Sequence, residues 1–148
     1  FSGLAFCLVL GVLAGYDSAG KKRKSRVFDF VADEEEALRK AAENADSVDF
    51  VSAIDSIGTL EVSAEGESLD IERESGGVIK FRCGSEAVSS ASCEWGFYYS
   101  PKDTPVNFYD AACDAALMED GNGYAFSGSY DFYTEKICDN FWYYRISD

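Results

Sequence analysis

The sequence predicts an α+β domain in which two N-terminal helices pack on an antiparallel sheet of about five or six strands. The chain has 148 residues and is 47% apolar, which suits one globular domain. Apolar residues first recur at helical spacing and then, from residue 59 onward, alternate with polar ones as in half-buried strands. Aromatic residues concentrate late in the chain, where 15 of 22 fall between residues 95 and 144.

An apolar segment at the start of the chain is typical of a targeting signal. Leu4 to Ala14 are eleven uncharged residues, which matches a signal-peptide core and falls short of the roughly 20 residues of a bilayer span. Val12 and Ala14 occupy the −3 and −1 positions of a plausible cleavage site. We therefore predict that residues 1–20 form a signal-peptide-like or membrane-anchor segment. The body would then be exported to an extracellular or cell-surface location, with membrane contact only through this segment.

A basic cluster follows the apolar segment. Five of the 13 basic residues lie between Lys21 and Arg26. The simplest interpretation is a solvated basic linker over residues 21–30, which precedes a single domain over residues 31–148. An alternative location stays open. Positive charge after an apolar segment tends to remain cytoplasmic, and the body would then lie inside the cell.

The rest of the chain is strongly acidic and contains no histidine. Residues 27–148 hold 8 basic and 26 acidic side chains, a net charge of −18. Nucleic-acid binding is improbable for such a body, because it requires Lys and Arg to neutralise phosphates. The absence of His excludes Ser-His-Asp and Cys-His catalysis. No Gly-rich phosphate loop or nucleophile elbow occurs, so the sequence predicts no enzyme, no cofactor and no metal site.

Two helices are predicted in the first part of the body. The first covers Asp33 to Asp46, with Asp33 as its cap and Glu36 completing a capping-box pair. Its apolar face consists mostly of alanine, so this helix can pack closely while burying little area. A second, shorter helix is predicted from Phe50 to Ile57, and Gly58 would end it.

Strands with a period of two follow. Alternation predicts strands at residues 59–63, 69–74 and 78–83, with a turn at residues 74–77. Lys80 and Arg82 would face Glu72 and Glu74 across the sheet. Further strands are predicted at residues 93–99, 124–127 and 139–147, and the residues from Asp120 to Gly123 form a strong turn signal. Residues 111–118 fit either a helical turn or an extension of the flanking strands.

Four cysteines remain once Cys7 of the apolar segment is set aside. An even number after a signal-like segment suggests two disulfides. The preferred pairing is Cys83 with Cys93, across the base of a hairpin, and Cys113 with Cys138. Four buried free thiols and a thiolate metal site are the alternatives, although no C-x-x-C pair is present.

The aromatic strands provide the candidate binding site. Trp95, Tyr99, Trp142 and Tyr144 are predicted to form a sheet face that contacts a protein or glycan, since such rings stack on sugars and anchor partners. The competing interpretation is that these rings form the core. The predicted function is thus a non-enzymatic binding or accessory domain. The alternative is an acidic inhibitor or immunity-like protein that binds a basic partner through its carboxylates.

Overall fold

The computed structural model describes residues 2–44, 70–88, 90–108 and 117–148, with side chains from Gly20 onward except at Val88. In this part of the chain, one long helix and a seven-stranded antiparallel sheet confirm the α+β class. The second predicted helix and the strand predicted at residues 59–63 lie outside the described residues. The elements in chain order are α1 (Ser2–Glu43), β1 (Asp70–Arg73), β2 (Ile79–Val88), β3 (Ala91–Tyr99), β4 (Met118–Asp120), β5 (Gly123–Ser127), β6 (Asp131–Cys138) and β7 (Phe141–Ser147).

The first helix is much longer than predicted. It runs without interruption from Ser2 to Glu43, so Asp33 is an internal residue and not a cap. Residues 21–30, predicted as a linker, are helical and pack against the sheet; Val27 among them is fully buried. No proline interrupts this stretch, and Lys and Arg are good helix formers, so a basic run can continue a helix.

The sheet has the order β1-β2-β3-β7-β6-β5-β4, which places β3 and β7 at its centre. β4 and β6 are the two strands of this sheet that the sequence did not predict. The predicted turns are confirmed at residues 75–77 and 121–122. Glu72 lies opposite Lys80, and their side chains form an ion pair of 2.8 Å, as the alternation predicts.

The helix covers one face of the sheet and forms the first core. Val27, Val31 and Leu38 are at most 1% exposed and follow the helical period. Phe28 stands 6.1 Å from the Tyr143 ring, measured between centroids. Each buried Val or Leu side chain contributes roughly 1.5–3 kcal/mol to this packing. The predicted helical layer against the aromatic sheet is therefore present as α1.

The predicted Cys83–Cys93 disulfide is absent from the structure. The hairpin register pairs Cys93 with Glu86, whereas Cys83 lies at an irregularity beside Trp95 and Gly96. Cys83 is three residues along β2 from Glu86, the residue opposite Cys93. That offset corresponds to about 10 Å along the strand, which is too far for a disulfide. Burial raises the pKa of the Cys83 thiol. Without this bridge, the prediction of export rests on the apolar segment alone.

The second predicted bridge, Cys113–Cys138, lies outside the described residues because Cys113 does. Cys138, at the end of β6, is a free thiol and half-buried. Desolvation, followed by the nearby charge of Glu35, raises its pKa to about 11. The thiol of Cys138 is thus protonated at neutral pH and not poised as a nucleophile.

Candidate functional site

The four aromatic residues predicted to form one binding face do not lie together. Trp95 and Tyr99 pack in the core beneath α1, whereas Trp142 and Tyr144 pack in a second core on the opposite sheet face. Trp95, Trp142 and Tyr144 are at most 5% exposed. Tyr99 is half-buried. These four rings therefore do not form one surface patch.

The second core is closed by the loop of residues 100–108. Phe108 of this loop meets the Tyr144 ring edge-on, with 4.9 Å between centroids. The Tyr98 hydroxyl lies 2.7 Å from Thr134 Oγ1 and accepts the backbone N–H of Val106 at 3.1 Å. Burial raises the pKa of Tyr98, so its hydroxyl stays neutral. The sheet face opposite α1 is therefore a packed, hydrogen-bonded core.

Asp103 fastens the closing loop to the β6–β7 hairpin. Its Oδ1 accepts the backbone N–H of Asn140 at 2.9 Å and the indole N–H of Trp142 at 3.2 Å. Its Oδ2 accepts Lys136 Nζ at 2.6 Å. Desolvation raises the pKa of this carboxyl, but the hydrogen bonds from Lys136, Asn140 and Trp142 outweigh it and hold the pKa below the ordinary value of 3.8.

We expect Asp103→Asn to lower the free energy of unfolding by about 1 kcal/mol at neutral pH, since partial exposure weakens these charge-assisted bonds. A lowered folded-state pKa stabilises the fold above the ordinary Asp pKa, and this contribution is lost as the pH falls through the folded-state value. Urea unfolding across pH should therefore show the variant's deficit shrinking in acid. Asp139→Asn, an exposed carboxylate 3.4 Å from Lys136, is the control. A deficit that is constant across pH would contradict this role.

A cavity of about 440 Å³ lies between the helix and the sheet, and we call it the cationic cavity. Its walls come from α1 and four strands. The charged residues that line it are Lys21, Arg23, Lys24, Arg145 and Asp120. Its aromatic wall consists of Trp95, Tyr133 and Tyr143. Four cations against one acid is the reverse of the balance in the acidic body as a whole.

Ion pairs with the sheet hold the helical side of the cavity. Arg23 pairs with Glu86 of β2, and its guanidinium lies 4.2 Å from the centroid of the Trp95 ring. Lys24 pairs with Glu135 of β6. Partly exposed pairs of this kind contribute up to about 1 kcal/mol each, and their main effect is to fix where α1 lies. The basic cluster thus helps to hold α1 against the sheet.

The strand side of the cavity carries Arg145 and two phenols. Arg145 is exposed, lies opposite Trp95 in the register, and has no carboxylate within ion-pair distance among the described residues. Its guanidinium is 5.9 Å from the centroid of the Tyr133 ring. Burial raises the pKa of Tyr143 to about 12, so this phenol is neutral at physiological pH.

Trp95 carries an unsatisfied polar group. Its Nε1 is buried and has no hydrogen-bond partner in the part of the chain that the structure describes. Trp142, in contrast, donates its indole N–H to Asp103. A buried donor without an acceptor costs about 1–3 kcal/mol, so such groups are rare and mark strain or a place for a further molecule.

The sequence pointed to Trp95 but missed the cations and phenols around it. Arg23, Lys24, Arg145, Tyr133 and Tyr143 meet in space although they are separated by up to 122 positions in the chain. One signal was present: Val27, Val31 and Leu38 continue the helical period directly after the basic cluster. That period indicates that the cluster belongs to a packed helix.

The described residues contain no group of three or more His, Cys, Asp or Glu side chains that could hold a metal ion. Gly121 and Asn122 form the turn of the β4–β5 hairpin, and Gly121 adopts a positive φ of 58° that suits glycine.

No known protein family, curated protein or solved structure matches this chain. Within the described ranges, no helix has the length and apolar character needed to cross a membrane. A function for the chain must accordingly be argued from the geometry of the cavity.

Proposed function

We propose that this chain is a small non-enzymatic binding domain and that it holds a small molecule in the cationic cavity. The observation that carries the proposal is the cavity itself. Its volume of about 440 Å³ lies within the range of roughly 300–1,000 Å³ of small-molecule sites. Its wall combines aromatic rings with a few charged groups, the composition that such sites have.

The packing around the cavity supports a preformed site. Val27 is fully buried one turn after Arg23, so the helix is anchored to the sheet next to the cavity. The ion pairs of Arg23 and Lys24 hold two lining side chains in place. A ligand that enters a preorganised wall avoids much of the entropic cost of ordering it.

The proposal moves the binding site from the aromatic face to the cavity. A protein or glycan contact through Trp142 and Tyr144 lacks support, because both rings are buried in the second core. Of the four residues predicted to bind, Trp95 alone lines the cavity. Export by the apolar segment and inhibition of a basic partner remain predictions drawn from the sequence.

The proposal is tested by filling the cavity. Gly20 lines the cavity, and an added Cβ there meets no atom within 4 Å, so Gly20→Leu begins its side chain in open space at the cavity wall. Ser25→Leu places the same side chain on an exposed helical position that does not line the cavity. The probes are the anionic dye anilinonaphthalene sulfonate and the neutral dye Nile red, followed by fluorescence.

We expect at least one dye to bind the native chain with a stoichiometry of one. Gly20→Leu should weaken that binding about tenfold or more, and Ser25→Leu should leave it unchanged. Near-ultraviolet circular dichroism confirms that both variants keep the native fold. The proposal is wrong if neither dye binds, or if both variants bind as the parent chain does.

A further inference from the structure

We propose that the cationic cavity selects an anionic ligand with a flat aromatic body, such as an aromatic carboxylate, and that Arg145 is the residue that recognises the anion. This inference rests on the proposed function and adds the chemical class of the ligand. It is carried by the Arg145 guanidinium on the cavity wall, which no described carboxylate pairs, and by the aromatic rings beside it.

The charge balance identifies Arg145 as the available cation. Arg23 and Lys24 are already paired with Glu86 and Glu135. Arg145 has no carboxylate within ion-pair distance in the described part of the chain. A guanidinium presents a fork of N–H donors that matches a carboxylate in a bidentate geometry.

The acids near the cavity limit how strongly it can favour an anionic ligand over a cationic one. Asp120 is the one acid on the wall, and Glu86 and Glu135 are engaged by the helix. The rest of the body carries many more acids, but salt screens charges beyond about 8 Å at physiological ionic strength. Arg145, which has no described carboxylate within ion-pair distance, therefore decides the sign of the ligand. A cationic ligand would be repelled by the guanidinium of Arg145.

The rings determine the body of the ligand. Trp95, Tyr133 and Tyr143 line the same cavity and offer apolar surface to a flat molecule. Trp95 also brings a buried N–H that has no acceptor among the described residues. The oxygens of a carboxylate or sulfonate are acceptors only, so an anion can accept the N–H fork of Arg145 while its ring packs against the aromatic wall.

Three probes that share a ring but differ in charge test the inference. They are 2-naphthoate (an anion), 2-naphthalenemethanol (neutral) and 2-naphthylmethylammonium (a cation), each titrated by calorimetry into the full chain. We expect 2-naphthoate to bind at least about tenfold more tightly than either of the others. Arg145→Met, which keeps an unbranched apolar side chain but removes the guanidinium, should reduce that preference to about threefold or less.

Lys102→Met is the matched control. It removes one positive charge from an exposed position in the loop at the opposite end of β7, so it changes the net charge equally. The preference for 2-naphthoate should survive in this variant. Equal binding of all three probes, or equal loss in both variants, overturns the inference and leaves the cavity as a general binding site. Binding of none of the probes and of neither dye contradicts the proposed function itself.

Discussion

Gly96→Ala is expected to lower the free energy of unfolding by about 3 kcal/mol or more. Gly96 lies on β3 at the centre of the sheet. A Cβ there would stand 2.0 Å from the Phe81 carbonyl oxygen, 2.9 Å from Tyr144 Cε1 and 3.0 Å from the Cys83 nitrogen. Two of these atoms belong to backbone that is fixed by the β2–β3 pairing, so relief requires the strands to separate.

Urea unfolding of the purified variant measures this loss, and Gly20→Ala is the control. At Gly20 an added Cβ meets nothing within 4 Å. Alanine is also the better helix former by about 1 kcal/mol. The control should therefore be as stable as the parent chain or more so. If Gly96→Ala costs less than about 1 kcal/mol, the close approach of β2 to β3 described above is wrong.

Phe97→Ala is expected to cost about 3–5 kcal/mol, as is typical for removing a fully buried ring. Phe97 is 0% exposed and stacks on Phe81 with 4.6 Å between ring centroids. It also contacts Phe30 of α1 at 6.1 Å, so it joins the helix to the sheet. The variant should lose the docking of the helix along with global stability.

The matched control for Phe97 is Met118→Ala. Met118 is 75% exposed, so its truncation should change the free energy of unfolding by less than about 0.5 kcal/mol. Hydrogen exchange of the amides on α1 separates local from global effects in the Phe97 variant. Unchanged protection of α1 would show that the helix does not depend on this ring.

The strands could be predicted wherever one face is apolar and the other polar. Residues 79–83 alternate cleanly, and β2 is found there. β6 was missed because its burial does not alternate regularly: Phe132, Thr134 and Glu135 are all buried. Thr134 is buried because its hydroxyl donates to the Tyr143 carbonyl, a contact that exists only after the strands pair. The strand count therefore depends on tertiary contacts.

The binding residues could be predicted only in part, because register is not visible in a sequence. Trp95, Trp142 and Tyr144 each have a clear face on their own strand. The pairing of Trp95 with Arg145 places Trp142 and Tyr144 on the other side of the sheet. A shift of one residue would have brought all three rings to one face. Likewise, the sequence alone predicts a solvated basic cluster, because the ion pairs of Arg23 with Glu86 and of Lys24 with Glu135 form only in the folded chain.

The proposed function and its ligand class both predict a local event at Trp95. The chain has two indole N–H groups, which give two resolvable signals in a ¹H–¹⁵N correlation spectrum and are assigned with Trp142→Phe. Trp95 lines the cavity and its indole N–H is unsatisfied among the described residues, whereas the Trp142 indole N–H is bonded to Asp103 on the other face of the sheet. The two signals therefore act as probe and internal reference.

Titration of the full chain with 2-naphthoate, followed at these two indole signals, is the most direct test that the cationic cavity binds an anion. We predict a saturable shift of the Trp95 signal while the Trp142 signal stays in place. The opposite pattern, or a Trp95 signal that does not move while backbone signals far from the cavity do, would contradict it.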